Sequence, residues 1–189
     1  MKRLTPSDLW PLPVYEGVRA QFRAEVIEAK KHRRVTVGPI MTFIFENRLT
    51  VKFQVQEILR IEKIKDPAQV AEELEGFNTM LPDPGELSAT LLIELTGPDD
   101  AVKAELQKLY GLSKHIWLEV GKWRIAGEVE PGREEEGRGA AAVQYLRFKV
   151  RDGTALAQGP VFLAVDHPQY NHKVELPEEV RRSLLQDLQ

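Results

Sequence analysis

At 189 residues, with 42% hydrophobic and 29% charged side chains, the chain has the size and composition of one globular domain, able to bury a core without cross-links or a structural metal. The absence of cysteine excludes disulfides, thiolate-held metal clusters and a cysteine nucleophile. A formal net charge of −3 supplies no general attraction to nucleic acid.

Met1-Lys2-Arg3 has the basic start of a secretory leader, but Leu4-Thr5-Pro6-Ser7-Asp8 behind it forms no apolar stretch. The longest charge-free apolar run, Val37 to Phe45, is about half of a membrane span. These features predict a cytoplasmic protein. Pro11 and Pro13 limit the next residues to a turn or helical fragment. From Tyr15 to Lys31, Val18, Phe22, Val26 and Ile27 recur at helical spacing. The basic run Lys30-Lys31-His32-Arg33-Arg34 crowds the end of that helix, where the dipole favours cations. Val35 to Phe45 is rich in β-branched and aromatic residues, and Gly38-Pro39 splits it into two short strands or one bent strand.

Asn47 to Ile64 is free of glycine and proline, with Asn47 suited to an N-cap. At about 100° per residue, Val51, Val55, Ile58 and Leu59 form one apolar face and Leu49, Phe53, Ile61 and Ile64 a second. A narrow wedge with Lys52, Gln56 and Lys63 is polar, which predicts a helix wedged between other elements. Asp66-Pro67 opens a further helix to about Phe77. Leu87 to Leu95 reads as a strand, and Gly97-Pro98-Asp99-Asp100 starts a helix ending near Tyr110-Gly111. His115 to Val120 and Trp123 to Val129 read as a hairpin joined at Gly121-Lys122. Pro131 to Gly139 is charged, glycine-rich and apolar-free, hence a flexible loop. Strands follow at Val143 to Val150 and Val161 to Val165, and a helix at Pro177 to Leu188. This order predicts a single α+β domain over residues 1–189, a helical N-terminal part packed on a mostly antiparallel sheet.

Three clusters carry candidate chemistry. The first opens at Phe45-Glu46-Asn47-Arg48. Glu46 and Glu57 are eleven residues apart, about three helical turns, and share a stripe with Phe53 and Ile61. Arg60 lies one turn past Glu57 and can pair with it. A part-buried carboxylate here suits a metal ligand or general acid/base; a structural ion pair or helix cap accounts for the same residues. The second is Asp166-His167-Pro168-Gln169-Tyr170-Asn171-His172, at a strand end. His167 and His172 permit metal ligation, with Glu46 or Glu57 as further ligands; a turn set by Asp-x-Pro is the plainer account. The third is the basic run 30–34, read as a phosphate or nucleic-acid contact or as a solvated helix end. No phosphate loop, nucleophile elbow or zinc-protease motif is present.

Several stretches together resemble the bacterial family DUF3501, a domain of unknown function. They are Leu4-Thr5 with the early Pro-Leu-Pro and Tyr15, the basic run into Arg34-Val35, Gly38-Pro39, and Phe45-Glu46-Asn47-Arg48. Phe53-Gln54-Val55-Gln56-Glu57-Ile58-Leu59-Arg60 and the Asp166-His167-Pro168-x-Tyr170-x-His172 box with Glu175-Leu176-Pro177 complete the set. The resemblance implies no established reaction. Similar members are often encoded beside rubrerythrin-like and iron–sulfur oxidoreductase proteins, which implies a role near peroxide or iron redox chemistry. The leading expectation is an accessory protein for a di-iron or iron–sulfur redox partner. The rivals are a metal-dependent enzyme or metal-binding protein, holding a divalent metal or iron through His167, His172, Glu46 and Glu57, and nucleic-acid binding through residues 30–34.

Overall fold

The computed structural model describes residues 1–150 and 153–188. Helix α1 (Leu12–Lys31) carries Pro13 in its first turn, where a missing N–H is harmless. Strands β1 (Arg34–Val37) and β2 (Met41–Glu46) follow as a hairpin, with Val37 opposite Met41. Helices α2 (Arg48–Ile61) and α3 (Pro67–Asn78) come next, each with a side-chain N-cap. Asn47 accepts from the N–H groups of Leu49 and Thr50, and Asp66 from those of Ala68 and Gln69. Then come β3 (Glu86–Ile93), α4 (Asp99–Lys108), β4 (Ile116–Val120), β5 (Trp123–Ala126) and β6 (Glu128–Val129). A two-residue ribbon, β7 (Glu134–Glu135) with β8 (Gly139–Ala140), lies within the stretch read as a loop. β9 (Val143–Lys149), α5 (Ala155–Gln158), β10 (Val161–His167), β11 (Tyr170–Glu175) and α6 (Glu178–Asp187) complete the chain.

The main strands make two antiparallel sheets, ordered β1-β2-β3-β9-β6 and β11-β10-β4-β5. Alternation puts Phe43, Phe45, Leu91 and Phe148 of the first sheet and Leu118, Leu163 and Val165 of the second into one shared core. α5 and α6 add Leu156, Val180 and Leu184 to it. The α+β expectation holds, with two facing sheets in place of one. The reason lies at Gly127, which is buried. A Cβ there would lie 2.9 Å from Leu146 and 3.1 Å from Ile116. Only glycine lets the chain pass so close, so the predicted strand Trp123 to Val129 breaks there, β5 staying in one sheet and β6 joining the other.

Helices α1 to α3 cover the outer face of the five-stranded sheet. α2 lies between the other two, as its two apolar faces predict. Val51, Val55 and Leu59 pack with Leu74 of α3, while Leu49 and Phe53 pack with Tyr15, Phe22 and Val26 of α1. Three details differ from expectation. Gln56 is fully buried, its amide bonded to the N–H and carbonyl of Trp10. Ile61 is 58% exposed, because the helix ends there. Ile64 lies past the helix end but still joins the face of Leu59. The outer face of the four-stranded sheet carries Trp117, Glu119, Arg124, Phe162, Asp166 and Lys173 and is open to solvent. No helix among the described residues is long and apolar enough to cross a membrane.

Candidate functional site

Glu46 is the last residue of β2, not part of the helix after it, so the three-turn spacing to Glu57 does not place the two on one stripe. Its register partner is Ser88, so its side chain lies on the helix-covered face of the sheet. Only 3% of it is exposed. The carboxylate accepts from the Thr50 hydroxyl, from the Gln54 amide at 3.1 Å and from the Thr90 hydroxyl at 2.6 Å. Thr50 also receives the Asn47 N–H, so the cap of α2 and the Glu46 site are one network. A cavity of about 300 Å³ opens beside it, walled by Thr90, Met80, Val129, Tyr145 and Leu146. Arg48, next to it in sequence, turns away and pairs with Asp8 at 2.6 Å, holding that carboxyl below its ordinary range.

Glu57 faces α1. Arg19 grips both carboxylate oxygens at 2.8 Å, the Tyr15 hydroxyl donates at 2.7 Å, and Arg60 approaches at 3.4 Å. The Arg19 bonds lead in holding the carboxyl down at about 2, against the opposing effect of burial. Burial first, then Glu57, raises the Tyr15 hydroxyl. The expected pairing with Arg60 exists, but the stronger partner comes from another helix, and the cluster serves as an ion-pair lock between α1 and α2.

The Asp166 to His172 box is a hairpin. Asp166 and His167 end β10, Tyr170 to His172 begin β11, and only Pro168-Gln169 forms the turn. The polar strand β11 escapes sequence detection because an edge strand with exposed side chains shows no apolar alternation. Alternation then sends the box residues to opposite faces. Asp166 points to solvent and binds Arg124 at 2.5 Å, Trp117 Nε1 at 2.9 Å and His115 Nδ1 at 3.0 Å. Burial raises its carboxyl, but these three bonds outweigh it and hold it at about 2. Arg124 also lies over the Trp117 ring, 4.2 Å from its centre. His167 is buried, with Nε2 bonded to the Tyr110 carbonyl at 3.0 Å and Nδ1 accepting the Gln169 N–H at 3.2 Å. Tyr170 donates to the Val37 carbonyl and accepts the Ile40 N–H, while the His172 ring lies tilted against it, the ring centres 4.5 Å apart. Both rings press on Gly38, where a Cβ would sit 2.4 Å from the Tyr170 hydroxyl and 2.6 Å from the His172 ring. Gly38-Pro39 and the Tyr-x-His pair, more than 130 residues apart, are thus two halves of one contact.

The proposed metal set does not converge. Glu46, Glu57, His167 and His172 each sit among different partners, and no three His, Asp or Glu side chains among the described residues are placed to hold a metal ion. His167 has both ring nitrogens engaged and Glu57 both oxygens, so neither is a free ligand. The basic run is also divided. Arg33 is buried, bonded to the carbonyls of Phe45 and Glu46, to Ser183 and to Asp187. Burial pushes the Asp187 carboxyl up in spite of Arg33. Lys31 pairs with Glu28. The residues missed by sequence reasoning, Thr50, Gln54, Thr90, His115, Trp117 and Arg124, meet their partners mostly through strand register and helix placement, which leave no local motif.

A comparison with curated proteins finds no match. The structure is similar to a crystal structure described as a novel protein of unknown function from Burkholderia pseudomallei K96243, with 32% sequence identity, a TM-score of 0.92 and full coverage of both chains. Residues 3–188 match the family model described as a protein of unknown function, DUF3501. With nearly its whole length matched and the fold shared, the chain belongs to the DUF3501 family.

Proposed function

We propose that this chain is a cytoplasmic accessory protein that docks on a di-iron or iron–sulfur redox protein, of which a rubrerythrin-like protein is one kind, and that the docking face is the outer surface of the four-stranded sheet. The redox character of the partner rests on the family resemblance alone. The observation that supports the docking face is the way Asp166 is used. Its carboxylate holds His115, Trp117 and Arg124 in a fixed array open to solvent. Beside it Lys173 lies over Phe162 and pairs with Glu119. Tryptophan and arginine dominate the energetics of protein interfaces, and side chains already fixed lose little entropy on binding.

Tagged protein purified from its host under native conditions is expected to bring down an iron-containing redox protein. The Trp117→Ala/Arg124→Glu double variant is expected to lose it while keeping its own fold. Recovery of no redox protein would sink the partner reading. Recovery unaffected by the double variant would sink the assignment of this face.

A further inference from the structure

We propose that the cavity beside Glu46 is a binding site for a small organic amine, with Glu46 as the acceptor of its ammonium group. A carboxylate offers about four lone-pair positions, and Thr50, Gln54 and Thr90 use three. All three donors are neutral. Among the described residues no lysine, arginine or histidine pairs with Glu46, although it is 97% removed from solvent by its 3% exposure. Asp187, whose side chain is 7% exposed, has Arg33 against it. A buried carboxylate is costly to charge unless a cation pairs with it, and Glu46 is itself part of the cavity lining.

The cavity's volume of about 300 Å³ is at the lower end of small-molecule sites. Glu128 and Glu130 also line it, but each is already paired, with Lys149 and Arg133, so the charge offered to a guest is that of Glu46. Arg147, the one basic residue of its lining, is already committed to Asp83, Glu86 and the carbonyls of Thr79 and Leu81. Met80 and the Tyr145 ring, the latter opposite Thr90 on Glu46's face of the sheet, give apolar walls suited to a hydrocarbon body. A bare metal ion is a poorer match, since no three acidic or histidine side chains converge there among the described residues. An ammonium group brings its own three donors and needs only one charged acceptor. The site lies on the opposite sheet from the proposed docking face and does not depend on that reading.

The probes are pentylamine and 2-phenylethylamine, with 1-pentanol and 2-phenylethanol as neutral partners of the same shape. Binding is followed by calorimetry and by amide chemical shifts in the full chain. At least one amine is expected to bind saturably, at least about tenfold tighter than its alcohol, with shifts centred on Val129 and Tyr145. Glu46→Gln is expected to remove that preference. Tyr145→Trp, which puts a larger ring into the cavity from the sheet face shared with Thr90 and leaves the Glu46 bonds in place, is expected to weaken the amine by a similar factor. It carries the test if Glu46→Gln does not fold. Amines that bind no tighter than the alcohols, or amine binding undiminished by Tyr145→Trp, would overturn the assignment.

Discussion

At Gly38 the backbone angle φ is +67°, in the left-handed region, and two side chains from β11 occupy the space a methyl group would need. Gly38→Ala is therefore expected to destabilise the fold by at least about 2 kcal/mol, measured by urea unfolding, from strain and displacement of Tyr170 together. A loss within about 0.5 kcal/mol would show that the contact is not tight. Glu57 makes a different kind of prediction. Its carboxyl is ordinarily near 4.5 and is held at about 2, chiefly by Arg19. Folding thus favours the ionised form. The stabilisation is complete above pH 4.5 and is lost as pH falls through the range down to 2. The stability difference between wild type and Glu57→Gln is expected to shrink by about 1–2 kcal/mol between about pH 6 and pH 3, after allowance for partial solvent screening. Asp187, pushed up by burial, shifts stability in the opposite sense, but it is present in both proteins and cancels in the difference. A pH-independent difference would mean that Arg19 does not grip Glu57 in solution.

At the scale of one element, α2 is defined by its ends. Its N-terminus is closed by Asn47, and Asn47→Ala is expected to cost about 1 kcal/mol from the cap, and more if the shared Thr50 bond to Glu46 loosens. Its C-terminus closes with the Ile64 N–H on the Leu59 carbonyl and the Lys63 N–H on that of Arg60, a Schellman arrangement sealed by the Leu59–Ile64 contact. Lys63 sits there at φ +55°, where a side chain is disfavoured. Lys63→Gly is expected to raise stability by up to about 1 kcal/mol, seen as a higher urea midpoint with an unchanged slope. A fall in the midpoint would place Lys63 in a contact the helix end needs. The two apolar faces of this helix were legible in the sequence because both follow its own 3.6-residue period. Gln56 was not: its polar character is matched by the Trp10 backbone, 46 residues away.

At the scale of the molecule, Arg33 ties the start of the first sheet to the last helix through Ser183 and Asp187. Arg33→Met removes one partner of a buried ion pair and a donor to two backbone carbonyls. It is expected to cost about 3–5 kcal/mol in equilibrium unfolding, while Lys30→Ala and Lys31→Ala stay within about 0.5. Equal effects along the run would restore the reading of residues 30–34 as one surface.

The sequence by itself determined the fold class, most of the helices and strands and the two apolar faces of α2. Those depend on periodicity, caps and breakers that act within a dozen residues, as at Asp66-Pro67 and in the alternation of Val143 to Val150. It also marked Glu46, Glu57 and the Asp166 to His172 box as uncommon. Only the tertiary structure decided what each of them does. A strand's register sends neighbours to opposite faces, which separates Asp166 from His167 and sets Glu46 beside Thr90. Gly127 carries the chain from one sheet to the other, and Arg19 reaches Glu57 only because α1 packs against α2. Those partners are fixed by cooperative burial of the whole core, which has no local signature to read.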